Sequence, residues 1–242
     1  MPSVSDPARA ATFDFGQTLA ELDTGMLARR LAERGVAVAE PALDAALPGA
    51  WAAYDRAIRA GHGGHPWKVF MDALLAATGM PAAGRTPLVD WLFAEQRAHN
   101  LWRRPIPGMI EVVRDLFAAG VPVGVVSNSE GRLAELAALL GWRDLFSAFA
   151  DSGVLGVEKP APEIFRWAAE RLGVPPAAVV HVGDSRAADV DGARAAGLRA
   201  VWFRPRALAA AAPPTPDPDP RVKVAADAAE LRAALRGWGL PA

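Results

Sequence analysis

Near the amino terminus the chain reads Phe13-Asp14-Phe15-Gly16-Gln17-Thr18-Leu19. The apolar residues Ala11 and Phe13 predict a buried strand, and Asp14 stands where that strand ends. Gly16 permits a sharp turn directly afterwards. The pattern therefore predicts a carboxylate at the mouth of a sheet. A second acid would be expected two residues after the first, but the chain has Gly16 at that position.

Composition narrows the class of protein. The chain has 242 residues, of which 52% are hydrophobic, so it can bury a large core. A net charge of −1, with acids and bases interspersed, provides no field for nucleic acid or an anionic membrane, and we expect a small-molecule partner. The lack of cysteine excludes disulfides and thiolate chemistry. No apolar leader or membrane span is evident, so we expect a soluble cytoplasmic protein, monomer or homodimer.

Short apolar segments alternate with helical patterns along most of the chain. The predicted strands are residues 11–14, 121–127, 179–184 and 199–203, and the predicted helices after them include residues 132–140 and 187–196. Such alternation indicates an α/β fold with a parallel sheet. At the carboxyl-terminal end we expect a loop over residues 207–220, an edge strand over 222–225 and a closing helix over 228–235.

Residues 24–104 differ, because their apolar residues recur at helical spacing without a convincing strand pattern. We expect a small helical bundle inserted after the first strand. The segment Arg104-Pro105-Ile106-Pro107-Gly108 is predicted to be the return linker, since its prolines stop a helix. The predicted domains are therefore a core of residues 1–23 and 105–242 and a helical cap of residues 24–104.

Three predicted strands end in polar residues that suit one site. Asp14 ends the first, Ser127 the second and Asp184 the third, and Lys159 lies in the loop sequence Gly156-Val157-Glu158-Lys159-Pro160. In an open α/β sheet, ligands bind beyond the carboxyl ends of the strands. We therefore expect these four side chains to meet.

Their chemistry matches phosphoryl transfer through a carboxyl phosphate. Such a site needs a carboxylate nucleophile, a hard divalent cation and donors for the phosphate oxygens. Asp14 and Asp184 offer oxygen ligands for Mg²⁺, and Lys159 would hold the carboxylate and phosphate charges together. Ser127, Asn128 and the amides that open the next helix would bind phosphate oxygens.

In this order the segments resemble the haloacid dehalogenase-like hydrolase superfamily. The four motifs that carry the resemblance are Phe13-Asp14-Phe15-Gly16-Gln17-Thr18-Leu19, Val125-Val126-Ser127-Asn128, Glu158-Lys159-Pro160, and Val182-Gly183-Asp184-Ser185 with Asp189. The resemblance covers essentially the entire chain. It implies a Rossmann-like core with an inserted helical cap, as in the branch that includes phosphoglycolate phosphatase-like enzymes.

The resemblance also assigns roles. It implies that Asp14 is the nucleophile, that the Gly16 carbonyl binds Mg²⁺, and that Asp189 holds Mg²⁺ through water or orients Lys159. In most members the residue at position 16 is an Asp that serves as general acid and base, a function typically worth about 10²- to 10⁴-fold in rate. We therefore expect a Mg²⁺-dependent phosphomonoester hydrolase that prefers activated leaving groups. Glu21 and Asp23 are the nearest acids in sequence that could substitute.

Other interpretations stay open at this point. Phosphonoacetaldehyde hydrolases combine a small residue at the position of Gly16 with a cap lysine that forms a Schiff base, and Lys68 is the only lysine of the predicted cap. Dehalogenation is disfavoured, because Asp184 and Asp189 suit a metal that dehalogenases do not need. A binding protein on a degenerate hydrolase scaffold is a further alternative. His62 and His65 flank a glycine pair in what we expect to be a cap loop rather than a metal site.

Overall fold

A computed structural model describes residues 7–61, 66–204 and 217–242. By its internal contacts the chain divides into two compact units, one of Met1–Glu21 with Arg104–Ala242 and one of Leu22–Arg103. The predicted roles of these parts as core and cap domains stay predictions. The residues His62 and His65, and most of the loop predicted over 207–220, lie outside the described residues.

Eight strands occur in the described residues, and six of them form one sheet. They are β1 (Ala10–Phe13), β2 (Ala20–Leu22), β3 (Trp102–Pro105), β4 (Val123–Ser127), β5 (Ala148–Asp151), β6 (Val179–Gly183), β7 (Arg199–Phe203) and β8 (Val222–Ala225). The six-stranded sheet has the order β5-β4-β1-β6-β7-β8. All its neighbours are parallel, which confirms the predicted α/β class.

Helices connect the strands. They are α1 (Thr24–Ala32), α2 (Glu40–Arg59), α3 (Trp67–Ala77), α4 (Ala82–Glu95), α5 (Met109–Ala118), α6 (Leu133–Leu139), α7 (Ser152–Leu155), α8 (Pro162–Arg171), α9 (Gly192–Ala195) and α10 (Ala228–Arg236). Short 3₁₀ turns span Arg143–Leu145 and Pro176–Ala178, and one π-helical stretch spans Arg186–Asp191. The helix predicted over 187–196 is thus a π-helical stretch followed by α9.

Both faces of the large sheet are covered, as its continuous apolar strands require. Phe13 and Val182 lie in one buried cluster with residues of α5, α6 and α10. Val126 and Val179 lie in the opposite cluster with residues of α8 and α9. Because side chains alternate between the faces, the polar residues of β1 and β6 also have a defined face.

Three strands, β2, β3 and β5, were not predicted. β5 reads Ala-Phe-Ala-Asp, a short segment in which alanine has little strand preference, and its pairing with β4 determines its conformation. β3 falls in a stretch predicted to be helical and then linker, and it forms a two-stranded sheet with β2. Partners distant in sequence therefore stabilise all three strands.

The unit of Leu22–Arg103 contains α1 to α4. Its interior holds an aromatic cluster in which the ring centroids of Trp51 and Phe70 are 4.2 Å apart and those of Phe70 and Trp102 are 5.9 Å apart. Asp23 begins α1 by accepting a hydrogen bond from the Met26 amide. None of the helices in residues 7–61, 66–204 and 217–242 combines the length and hydropathy needed to cross a bilayer.

Candidate active site

Asp14 directly follows β1, an interior strand of the sheet. β1 lies between β4 and β6, so Ser127 at the end of β4 and Asp184 directly after β6 stand on either side of it. The Asp14 amide donates to the Val182 carbonyl at 2.8 Å, which fixes the backbone from which the carboxylate projects. The side chain of Asp14 keeps 11% of its surface exposed. The nucleophile predicted from sequence is thus nearly buried at the carboxyl edge of the sheet.

Lys159 joins Asp14 to Asp189. Its ammonium lies 2.7 Å from Asp14 Oδ1 and 2.6 Å from Asp189 Oδ1, with 4% of the side chain exposed. Burial acts to lower the pKa of Lys159, but the charges of Asp14 and Asp189 outweigh that effect and raise this pKa above its ordinary value. The ammonium therefore stays charged and holds the two carboxylates together.

The Asn128 side chain holds the backbone of Lys159. Its Oδ1 accepts from the Lys159 amide at 2.7 Å, and its Nδ2 donates to the Lys159 carbonyl at 3.1 Å. Asn128 directly follows β4, so this pair of hydrogen bonds ties the lysine loop to the end of that strand. The predicted role of Asn128 as a phosphate donor stays a prediction.

Asp189 is held by several donors and is 1% exposed. Besides Lys159, its carboxylate contacts His181 Nε2 at 3.1 Å and the Ser185 amide at 2.9 Å. Gly183 makes room for it, since a Cβ at that position would lie 2.2 Å from Asp189 Cγ. Burial would raise the pKa of Asp189, but the charge of Lys159 and hydrogen bonding to His181 hold that pKa well below its ordinary value.

The donor set suits a hard divalent cation. Asp14, Asp184 and Asp189 each offer a carboxylate oxygen, and these oxygens lie within 4.8 Å of one another. Burial, followed by the charges of Asp189 and Asp14, raises the pKa of Asp184 well above its ordinary value. Burial also raises the pKa of Asp14, against the opposing charge of Lys159. Ionising all three acids therefore calls for positive charge beyond that of Lys159, and oxygen ligands are those that Mg²⁺ prefers. The ligand role of the Gly16 carbonyl stays a prediction.

Two residues that the sequence analysis missed order the loop after Ser127. Asp151 ends β5 and accepts from the amides of Gly131 at 3.1 Å, Gly153 at 3.0 Å and Leu133 at 2.9 Å. Its neighbour Ser152 exchanges hydrogen bonds with the Ser129 backbone. The sequence analysis missed them because β5, which ends in Asp151, is short and rich in alanine and was not predicted as a strand.

One known family matches most of this chain. Residues 8–197 match the haloacid dehalogenase-like hydrolase family. The chain belongs to this family. Phosphoserine phosphatase of Thermus thermophilus is 35% identical over 162 residues, which make up 65% of this chain and 63% of that protein. The aligned regions span 53% and 63% of the lengths of two curated relatives.

Solved structures agree with this haloacid dehalogenase-like assignment. The putative hydrolase YfnB of Bacillus subtilis, bound to magnesium, has a TM-score of 0.69 at 21% identity, covering 95% of this chain and 99% of that one. A family hydrolase of Deinococcus radiodurans R1, with bound phosphate and sodium, has a TM-score of 0.62 at 26% identity, covering 97% of this chain and 98% of that one.

In this haloacid dehalogenase-like chain, Glu21 and Asp23 are the acids that could replace the one missing at position 16. Both already have hydrogen-bond partners. Arg104 Nε donates to Glu21 Oε1 at 2.8 Å, and Asp23 accepts from the Met26 amide at 2.7 Å. Lys68 lies 2.7 Å from Asp90 in an ion pair whose side chains are 52% and 56% exposed. These contacts account for all three residues without a role in catalysis.

Proposed function

We propose that the protein hydrolyses a small-molecule phosphomonoester through an aspartyl-phosphate on Asp14, with Mg²⁺ as cofactor. The observation that carries the proposal is the buried ion pair in which Lys159 bridges Asp14 and Asp189 at the carboxyl end of β1. The relatives add support, since one is a phosphoserine phosphatase and a hydrolase at 26% identity has phosphate bound.

Asp14 and Lys159 perform the first step. A carboxylate oxygen of Asp14 attacks phosphorus, the new Asp14–phosphorus bond forms, and the bond from phosphorus to the leaving oxygen breaks. Lys159, held against Asp14, offsets the negative charge that the carboxylate and the phosphoryl group bring together. Water then attacks the phosphorus of the aspartyl-phosphate, and the carboxylate of Asp14 is released unchanged.

Asp14, Asp184 and the Gly16 carbonyl would hold Mg²⁺, with Asp189 acting through water or through Lys159. When bound, the cation neutralises phosphate charge and orients the phosphoryl group. Ser127, at the start of the loop that Asp151 and Ser152 order, would bind a remaining phosphate oxygen.

Gly16 gives the protein its expected substrate preference. A positioned proton donor typically contributes about 10²- to 10⁴-fold, and Gly16 has no side chain to serve as one. Because Glu21 and Asp23 are engaged elsewhere, leaving groups that depart without protonation should react best. We therefore propose a preference for acyl, aryl or anomeric sugar phosphates over alkyl phosphates.

The alternative of carbon–phosphorus bond cleavage requires Lys68 to form a Schiff base. Lysines that do so are activated by desolvation or by a neighbouring cation. Lys68 instead pairs with Asp90 and keeps half of its side chain exposed, which favours the phosphatase. Borohydride trapping with phosphonoacetaldehyde tests this alternative, and a reduced adduct on Lys68 would support it.

The deciding experiment is a phosphate-release screen over phosphorylated metabolites, with Mg²⁺ or with EDTA. We expect turnover with Mg²⁺, little with EDTA, and none for Asp14→Asn. Turnover that survives in Asp14→Asn would contradict the role of Asp14. No turnover on any substrate, together with specific ligand binding, would support a binding protein on a degenerate scaffold instead.

A further inference from the structure

A chain of buried polar contacts runs from β1 to Lys159. Thr12 Oγ1 lies 3.0 Å from His181 Nδ1, and His181 Nε2 lies 3.1 Å from Asp189 Oδ1. The same oxygen lies 2.6 Å from Lys159 Nζ. Thr12 and His181 are register partners on β1 and β6, and each is 0% exposed. This row of residues therefore connects the centre of the sheet to the candidate active site.

The chemistry of the groups sets the direction of each hydrogen bond. The ionised carboxylate of Asp189 can only accept, so the proton between it and His181 belongs to Nε2 of the ring. In a neutral imidazole that donates from Nε2, Nδ1 accepts, so the Thr12 hydroxyl donates to it. Thr12 therefore selects the ring tautomer that donates to Asp189.

Packing holds the ring and the carboxylate in place. The Phe165 ring meets the His181 ring edge-on, with centroids 5.0 Å apart and planes at 80°. The Asp189 carboxyl lies against Gly183 with no room for a Cβ between them. Without His181, the contacts described for this carboxylate are the Ser185 amide and Lys159 itself. The carboxylate could then rotate and carry the lysine away from Asp14.

We propose that His181, oriented by Thr12, is a positioning residue that fixes the Asp189 carboxylate and thereby aims the Lys159 ammonium at Asp14. Its kinetic consequence rests on the proposed phosphatase activity. Loss of His181 leaves the acids and the lysine of the site in place but releases the lysine from its defined direction. The formation of the aspartyl-phosphate should then slow, while substrate binding changes little.

The first test compares His181→Leu with His181→Gln, whose Nε2 is as many bonds from the backbone as the histidine Nε2. We expect His181→Leu to lower kcat by about 10- to 100-fold, the usual range for residues that orient active-site ligands, with KM nearly unchanged. His181→Gln should recover most of that loss, because it restores a donor to Asp189. Equal kcat in His181→Leu and wild type, or in the two variants, would overturn the proposal.

Thr12→Val provides a variant that keeps the shape of the side chain and removes only the hydroxyl. We expect a smaller loss of kcat than in His181→Leu. The double variant should be no slower than His181→Leu alone, because Thr12 acts through His181. Should His181→Leu fail to fold, an unchanged kcat in Thr12→Val would overturn the proposal.

A second readout does not depend on turnover. In protein labelled with ¹⁵N-lysine, the Lys159 ammonium resonance is assigned by its loss in Lys159→Met. We expect it to move in His181→Leu and to return toward its original position in His181→Gln. An unmoved resonance in His181→Leu would overturn the proposal, whereas a lack of turnover on every phosphate ester would overturn the phosphatase function and leave this result standing.

Discussion

Residue 16 bears on two predicted functions, cation binding by its backbone carbonyl and proton transfer by its side chain. A glycine keeps the carbonyl but has no side chain to transfer a proton. Glu21 is paired with Arg104 and Asp23 begins α1, so the acids nearest in sequence are engaged elsewhere. The expected preference for activated leaving groups therefore depends on this single residue.

Gly16→Asp should restore the missing proton transfer. We expect kcat/KM for alkyl phosphates to rise by about 10²-fold or more, with a smaller gain for aryl phosphates, whose leaving groups need no proton. Gly16→Asn is the matched control, because it adds similar bulk but no acid. Parallel rate measurements on an alkyl and an aryl phosphate check the prediction. An equal effect of Asp and Asn would contradict it.

Lys159→Met should abolish turnover and destabilise the protein. Removing one partner of a buried ion pair costs about 3–5 kcal/mol, because the remaining charges stay buried without compensation. Lys68→Met is the control, since its ion pair is half exposed and contributes about 0–1 kcal/mol. Denaturant unfolding in EDTA measures both free energies. Similar losses of unfolding free energy in Lys159→Met and Lys68→Met would contradict the prediction that the buried ion pair contributes more to stability.

At the scale of secondary structure, three neighbouring strands assemble the site. β4, β1 and β6 are parallel, so their carboxyl ends deliver Ser127, Asp14 and Asp184 to one edge of the sheet. Gly183, the last residue of β6, lets Asp189 approach the strand. The absence of a side chain at Gly183 therefore determines where the Asp189 carboxyl group can lie.

Gly183→Ala should displace the Asp189 carboxyl group, because the added Cβ would lie 2.2 Å from Asp189 Cγ. We expect a cost of about 1–3 kcal/mol in stability, typical of an overpacked core, together with a large loss of kcat. Gly124→Ala on β4 is the control, since its Cβ would meet its nearest neighbour at 3.4 Å. Thermal unfolding and kinetics of both variants test this. Wild-type behaviour of Gly183→Ala would contradict it.

The strands that carry the predicted site could be predicted from the sequence alone. β1, β4 and β6 are apolar runs that end in polar residues, and that pattern needs no knowledge of their partners. β5 could not be assigned in this way, because Ala148 and Ala150 have little strand preference and rely on pairing with β4. The role of His181 was not predicted for a different reason. A single histidine within an apolar strand reveals no role until its neighbours in the fold, Thr12 and Asp189, are known.

At the scale of the whole molecule, the buried acids link stability to pH and to metal. The unfolded chain releases an aspartate proton at about pH 4. Burial and the neighbouring acids raise the pKa of Asp184 in the folded protein. Above about pH 4 the folded state therefore holds more protons than the unfolded state, and the free energy of unfolding falls as pH rises toward the raised pKa.

Asp184→Asn removes this penalty. In EDTA at neutral pH we expect the variant to melt about 2–4 °C above the wild type, the shift that ~1 kcal/mol produces in a protein of this size. The difference should vanish below about pH 3, where the acid is protonated in both states. Mg²⁺ should raise the Tm of the wild type more than that of the variant, since ligands stabilise the state they bind. A metal-free variant less stable than the wild type at neutral pH would contradict this account.

Trapping the covalent intermediate tests the role of Asp14 most directly. The enzyme is mixed with a ³²P-labelled activated phosphate ester and Mg²⁺, quenched in acid within the first turnover, and the label that remains on the protein is counted. We predict acid-stable label on the wild type, its location in the peptide that contains residue 14, and none on Asp14→Asn. Rapid phosphate release by the wild type without any label on the protein, or equal labelling of Asp14→Asn, would contradict the nucleophilic role of Asp14.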